Sequence, residues 1–196
     1  MDENGSWHDS VEGIAEVAVN YFKNLFSTSH STCILEVLET IPNKINDDMN
    51  QRLIQEFTRE EVETALNQMH PTKVPGPVGM SATFFQNYWG IVGNDVTCMV
   101  LNVLNNNMSM TEINRTNITL VPKTKNPTNM TEFKPISLCN VVYKLISKVL
   151  ANRLKIILPH IISENQSAFL TGRLITDNVL LAFELMHYLK HKKDGK

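Results

Sequence analysis

Two candidate clusters, one with a single lysine and one with three, could bind phosphate through their ammonium groups. Lys73 begins a stretch, residues 73–79, in which Pro and Gly fix the backbone path. In the second cluster, Lys123 directly follows a predicted strand, Lys125 comes two residues later, and Lys134 ends the polar loop. Lysine binds phosphate as a point charge, so these side chains are candidates for phosphate contact. A helix-to-helix connection is the plainer interpretation of the first cluster, and a solvated surface hairpin that of the second.

A third candidate cluster lies in residues 166–173. Gln166 offers an amide, and Arg173 follows Gly172 in a loop between two predicted helices. An arginine in such a loop can bind phosphate through two parallel hydrogen bonds. A surface ion pair is the alternative role for Arg173.

Other polar pairs do not predict a catalytic or metal site. His187 and His191 have the four-residue spacing of zinc ligands, but no third ligand accompanies them. Asp47 and Asp48 fall in a polar stretch with no flanking strand, which favours a solvated loop over a two-metal site. We therefore predict no metal, no cofactor and no catalytic residue in this chain.

The charge is divided unevenly along the 196 residues. The formal net charge is only −2, from 18 basic and 20 acidic residues. From Lys123 onward there are 12 Lys and Arg against 5 Asp and Glu, whereas residues 1–122 hold 6 against 15. A basic half next to an acidic one suggests a polyanionic partner such as RNA or DNA.

Membrane and secretory segments are not predicted. No apolar run approaches the roughly 18 residues of a membrane span, and the first ten residues are acidic and polar. Cys33, Cys98 and Cys139 form no close pair, so we expect them to be buried thiols. The sequence predicts an intracellular protein, in the nucleus or the cytoplasm, with no membrane partner.

Apolar periodicity predicts a mostly helical α+β fold. Thr58, three residues before Glu61, forms a capping-box pattern at a helix start. Pro159 is expected to end the longest helix, and residues 40–50 are expected to be a loop. The predicted helices cover residues 10–26, 59–69, 82–89, 94–104, 141–157 and 177–192, and a short strand covers 117–122.

Six stretches of the sequence match one family in the same order. They are residues 73–79, Leu120-Val121-Pro122-Lys123, Phe133-Lys134-Pro135-Ile136-Ser137, Leu150-Ala151-Asn152-Arg153-Leu154, Gln166-Ser167-Ala168-Phe169 and Gly172-Arg173. Together they closely resemble the reverse transcriptase of LINE-type (non-LTR) retrotransposons, in the form found in plants, and residues 73–79 are similar to that family's KAPGPDG motif.

The resemblance implies part of a right-hand polymerase, the fingers and the start of the palm, over residues 58–196. Residues 1–57, with the helix near 10–26, would then be a linker region preceding the polymerase domain. Lys73, Lys123 and Lys134 match positions near the nucleotide and template. Gln166, Gly172 and Arg173 match positions that approach template or primer.

The sequence also departs from the family pattern. Val78 replaces an aspartate, Lys134 an arginine and Thr171 a proline. The family's catalytic aspartates, which hold two Mg²⁺ ions, have no counterpart, because no Tyr-Ala-Asp-Asp sequence occurs. We therefore expect an N-terminal fragment of the polymerase domain that is inactive alone.

Two alternatives to that function remain open at this point. One is a noncatalytic module that binds RNA or single strands through Lys123, Lys134, Lys144, Lys148 and Arg173, with Lys155 on the same helical face as Lys144 and Lys148. The other is an inert helical fragment. In each case apolar side chains such as Val179 and Phe183 would stay exposed and favour self-association.

Overall fold

The computed structural model describes residues 2, 5–28, 34–164, 166–167, 170 and 172–192. Over these residues the protein is an α+β fold, mostly helical, with eight α-helices and one sheet of two strands. This confirms the predicted fold class. In the described residues, no helix is long and apolar enough to cross a membrane.

Three helices precede the main core. They are α1 (Val11–Leu25), α2 (Ile34–Glu39) and α3 (Asp47–Ile54). The loop predicted over residues 40–50 is wrong from Asp47 onward. Asn46 caps α3 by accepting a hydrogen bond on Oδ1 from the Met49 N–H, at 2.9 Å. The Asp47 and Asp48 carboxylates lie in the first turn, where the positive end of the helix dipole favours them.

The next three helices are α4 (Arg59–Asn67), α5 (Ala82–Asn87) and α6 (Trp89–Asn106). The capping box is confirmed, because the Thr58 N–H donates to Glu61 Oε2 at 2.9 Å and the Glu61 N–H to Thr58 Oγ1 at 3.4 Å. Helix α6 begins five residues earlier than predicted, since Gly90 and Gly93 do not interrupt it. It ends at Asn106, and the next residue, Asn107, caps it with a left-handed φ of 53°.

A β-hairpin separates α6 from the longest helix. The predicted strand β1 (Asn117–Pro122) pairs antiparallel with β2 (Phe133–Leu138), which the sequence left unassigned. Pro135 lies opposite Leu120 and has no N–H to give to the ladder, yet the strand continues past it. A short 3₁₀ turn, Met130–Glu132, lies between the two strands.

Helix α7 (Val141–Ile161) supplies four of the eleven buried residues that form the main apolar core in the described part of the chain. Leu145, Ile146 and Val149 pack with Val62 and Leu66 of α4 and with apolar residues of α6. The prediction that Pro159 ends this helix is wrong by two residues. Pro159 lies in the last turn, where its missing N–H removes only one terminal hydrogen bond.

The last helix, α8 (Ile175–His191), begins two residues before its predicted start. The Asp177 carboxylate lies inside the helix and accepts a hydrogen bond from the Leu174 N–H, at 3.1 Å. No residue of α8 is buried, and Val179 and Phe183 are 66% and 69% exposed. The expected exposure of this apolar helix is therefore confirmed.

The cysteines are less buried than predicted. Cys98 is exposed on α6, and Cys139 is partly buried after β2. The prediction of a buried thiol is therefore wrong for Cys98, which lies on the solvent side of an amphipathic helix. Cys33 falls outside the described residues.

Candidate nucleic-acid interface

The proline- and glycine-rich loop, residues 73–79, lies against the start of α7. Gly76 is so close to the segment between β2 and α7 that a Cβ atom there would come within 2.4 Å of the Asn140 nitrogen and 2.5 Å of the Cys139 carbonyl carbon. The Lys144 Nζ donates to the Val74 carbonyl oxygen at 2.9 Å. The loop is therefore docked, and Lys73 lies exposed at its beginning.

Asn140 joins this loop to two other segments. Its Oδ1 accepts a hydrogen bond from the Val78 N–H at 3.2 Å. Its Nδ2 donates to the carbonyl oxygens of Ile113 and Arg115, both at 3.2 Å. The side chain is buried, with 7% exposure. The side chain of Asn140, the residue directly before α7, thus connects that helix start to the Lys73 loop and to the turn before β1.

Lys123 and Lys134 are predicted site residues at the far end of the hairpin. The Lys123 N–H donates to the Glu132 carbonyl at 2.8 Å, which extends the ladder by one bond, and Lys134 pairs with Val121. Alternate residues of a strand share a face, so Lys123 falls on the face of Val121 and Lys134. Both lysines are exposed.

The loop between the strands is ordered by Glu132. Its Oε2 accepts hydrogen bonds from the N–H groups of Thr128, at 2.5 Å, and Asn129, at 3.3 Å. These hydrogen bonds, that of Thr128 first, lower the pKa of the Glu132 carboxyl. The Lys123 Nζ donates to the Thr131 carbonyl at 2.8 Å, which leaves two of its three ammonium hydrogens for another partner.

The third cluster is bonded within its own loop. Arg173 Nη1 donates to the carbonyl oxygens of Ser163, at 2.6 Å, and Gln166, at 2.8 Å. Gly172 adopts a φ of +81°, which glycine tolerates best, and the Gln166 side chain is exposed. Ala168, Phe169 and Thr171 of the matching stretches lie outside the described residues. The arrangement gives Arg173 a loop-closing role beside any phosphate contact.

Lys144, which was considered only as a nucleic-acid contact, also has a structural role. Its ammonium is bonded to the Val74 carbonyl, so it is a structural anchor of the loop as well as a surface charge. Lys148, one turn later, is partly buried, and Lys155 is exposed.

Sequence reasoning missed a cavity of about 600 Å³ beside Asn140. Arg115 and Asn117 bring a guanidinium and an amide to it, at the start of the hairpin. Its lining residues are Pro77, Val78, Glu112, Arg115, Thr116, Asn117 and Asn140. These residues are spread over about 60 positions of the sequence, from Pro77 to Asn140, so no local pattern predicted that they line one cavity.

Arg153 has a structural role that the sequence analysis did not predict. Its guanidinium bonds both carboxylate oxygens of Glu61, at 2.6 and 2.8 Å, and lies 3.5 Å from the centre of the Phe57 ring. It also donates to three backbone carbonyls, those of Leu53, Gln55 and Glu56. Arg153 therefore holds the segment between α3 and α4 against α7.

The comparisons with known proteins point to a mobile genetic element. No protein-family profile matches the chain. Over 191 residues, 96% of its length, the chain is 29% identical to an uncharacterized 149 kDa protein of the transposon TX1 from Xenopus laevis. The chain spans 14% of that relative. This similarity supports a transposon origin for the chain.

Proposed function

We propose that this chain is the fingers and early palm of a LINE-type reverse transcriptase, and that it binds the backbone of a template–primer. The match to a transposon protein over 96% of the chain supports the retrotransposon origin. The string of residues similar to reverse transcriptases supports the polymerase family. The division between a linker over residues 1–57 and a polymerase part over residues 58–196 belongs to this proposal.

The observation that carries the binding role is the joining of the Lys73 loop to the base of the hairpin through Asn140. Lys73, Lys123 and Lys134 are all exposed on these joined segments. Lysines that neutralise phosphates release counterions, which gives affinity without sequence preference. Gln166, Gly172 and Arg173 form a separate part of the proposed contact surface.

Binding is tested with a short RNA template annealed to a DNA primer, over a range of salt concentrations. The variant is the double substitution Lys123→Ala and Lys134→Ala, and its control is Lys23→Ala with Lys44→Ala in the acidic half. The salt slope of the affinity should fall by about two units in the first and stay unchanged in the control. Absence of binding at low salt, or an equal loss in both variants, would favour an inert helical fragment.

Catalysis is tested separately by primer extension with Mg²⁺ and all four deoxynucleotides. We expect no extension by the chain alone, because its sequence has no Tyr-Ala-Asp-Asp carboxylates for metal-assisted nucleotidyl transfer. Magnesium-dependent extension by the purified chain would contradict this part of the proposal and leave the binding role intact.

A further inference from the structure

We infer that Asn140 is a positioning residue, which fixes the Lys73 loop relative to the hairpin that carries Lys123 and Lys134. The inference rests on the proposed nucleic-acid binding and adds to it. It assigns the alignment of the basic groups to a side chain that itself touches no nucleic acid.

Both polar atoms of the Asn140 amide take part in this connection. Its oxygen accepts from the loop at Val78, and its nitrogen donates both hydrogens, to Ile113 and to Arg115. Asn140 directly precedes α7, yet its side chain forms no capping bond with that helix. Since Ser, Thr, Asp and Asn at this position normally cap the helix, the amide serves the three-segment connection instead.

The segments that carry Lys73, Lys123 and Lys134 meet at this connection. Lys73 is five residues before Val78, whereas Arg115 is two residues before the first residue of β1. Asn140 itself is two residues after the end of β2. A shift of any of the three segments would therefore move Lys73 relative to both hairpin lysines.

Gly76 and Lys144 secure the same loop by independent means. Gly76 allows a backbone approach that any Cβ would prevent, and Lys144 bonds the Val74 carbonyl. Fixing a loop before binding reduces the ordering cost that is otherwise incurred when the ligand binds. The structure thus presents Lys73 in one place ahead of any contact with phosphate.

Two substitutions test the inference by different routes. Asn140→Asp keeps an acceptor for Val78 but places a carboxylate against two carbonyl oxygens. Gly76→Ala changes no charge and no donor, but its methyl group must displace the loop. The matched controls are Asn50→Asp, on the exposed side of α3, and Gly90→Ala, where a Cβ meets no atom within 4 Å.

Affinity for the RNA–DNA template–primer is measured for folded protein, with circular dichroism as the check. Both test variants should bind about three- to tenfold more weakly, and their salt slopes should fall by about one unit, because Lys73 no longer contributes its contact. Adding Lys73→Ala should then cause almost no further loss in the test variants, but a clear loss in the controls. A purely structural role would lower the folded fraction and leave the slope of the folded protein unchanged.

Amide hydrogen exchange distinguishes a failed inference from a failed proposed function. If the wild type does not bind, the proposed function is wrong, and slow exchange at the Val78 N–H that becomes fast in Gly76→Ala still supports the connection between the loop and Asn140. Wild-type affinity and slope in folded Asn140→Asp and Gly76→Ala would overturn the positioning role while binding stands. If Asn140→Asp does not fold, Asn140→Ser takes its place, since the shorter side chain removes the amide donors to Ile113 and Arg115 without adding a charge. Wild-type affinity and slope in folded Asn140→Ser would likewise overturn the inference.

Discussion

The indole nitrogen of Trp89 donates a hydrogen bond to Glu63 Oε1, 3.1 Å away, and so joins the first turn of α6 to α4. The same carboxylate accepts from Arg59 Nε at 2.7 Å, and Arg59 Nη1 continues to Asn94 Oδ1 at 2.6 Å. The Trp89 hydrogen bond, followed by that of Arg59, lowers the pKa of the Glu63 carboxyl. The position of the Trp89 ring therefore determines whether this hydrogen bond between α4 and α6 can form.

Gly93→Ala should destabilise the protein by displacing that ring. A Cβ at position 93 would lie 2.8 Å from two ring carbons of Trp89, which is closer than real contacts allow. We expect a loss of about 1–3 kcal/mol in the free energy of unfolding, as for other overpacked sites. Urea denaturation followed by tryptophan fluorescence in a Trp7→Phe background measures it.

The control for this substitution is Gly90→Ala in the same helix. No atom lies within 4 Å of the added Cβ, so alanine should be neutral or should stabilise α6 by up to about 1 kcal/mol. Equal stabilities of the Gly93→Ala variant and the wild type would show that the ring moves aside without losing its bond to Glu63.

Glu61→Gln should lower the free energy of unfolding most at neutral pH and least in acid. The Arg153 hydrogen bonds, followed by the N–H of Thr58, lower the pKa of the Glu61 carboxyl below its ordinary value of 4.5. A carboxyl with a lowered pKa contributes stability above that ordinary value, and the contribution is lost as the pH falls through the folded-state pKa. The loss at pH 7 should be about 1–3 kcal/mol, since the side chain is 32% exposed and solvent screens part of the pair.

Glutamine retains an oxygen for the capping box, so this variant isolates the charge. Chemical denaturation between pH 3 and pH 7 should give a flatter acid limb for Glu61→Gln than for the wild type. Glu184→Gln, on the exposed surface of α8, should reproduce the wild-type profile. An acid limb as steep as that of the wild type would contradict the assigned role of Glu61.

The purified chain should self-associate through α8. Its accessible surface is 15092 Å², whereas a compact monomer of 22.2 kDa is expected to expose about 9,400 Å². Large exposed apolar faces favour association. Light scattering coupled to gel filtration should give an apparent mass above 22.2 kDa that rises with concentration.

Replacing Val179, Phe183 and Met186 by serine should restore a monomer. The urea midpoint of the α4–α6–α7 core should change little, because no residue of α8 is buried. Serine at Val11 and Val19, also exposed, provides a comparison on α1. A monodisperse monomer of the unmodified chain at high concentration would contradict the prediction.

Local sequence signals predicted the parts of the fold that local physics determines. The capping box at Thr58 and the apolar periodicity of residues 141–157 were enough to assign α4 and α7. In each case the determining contacts lie within a few residues of one another.

The features that were missed depend on distant partners. Strand β2 contains Pro135, which reads as a break, and it exists because β1 supplies a ladder partner. Asn140 and Arg153 showed no local sign of their roles, since their bonds reach residues 25 to 100 positions away. The proposed phosphate contacts of Lys73, Lys123 and Lys134 stay predictions from charge and resemblance.

The bonds of Arg153 also order events during synthesis of the chain. Its carbonyl partners at Leu53 and Gln55 leave the ribosome about 100 residues before it does, an interval of about 5–20 s at ordinary rates of translation. During that time α4 is without α7, its main partner in the core, and Glu61 has no guanidinium to bind. The segment from Leu53 to Glu61 therefore cannot form these contacts until the last third of the chain has been synthesised. We expect the nascent polypeptide to bind chaperones that shield apolar helices during this interval.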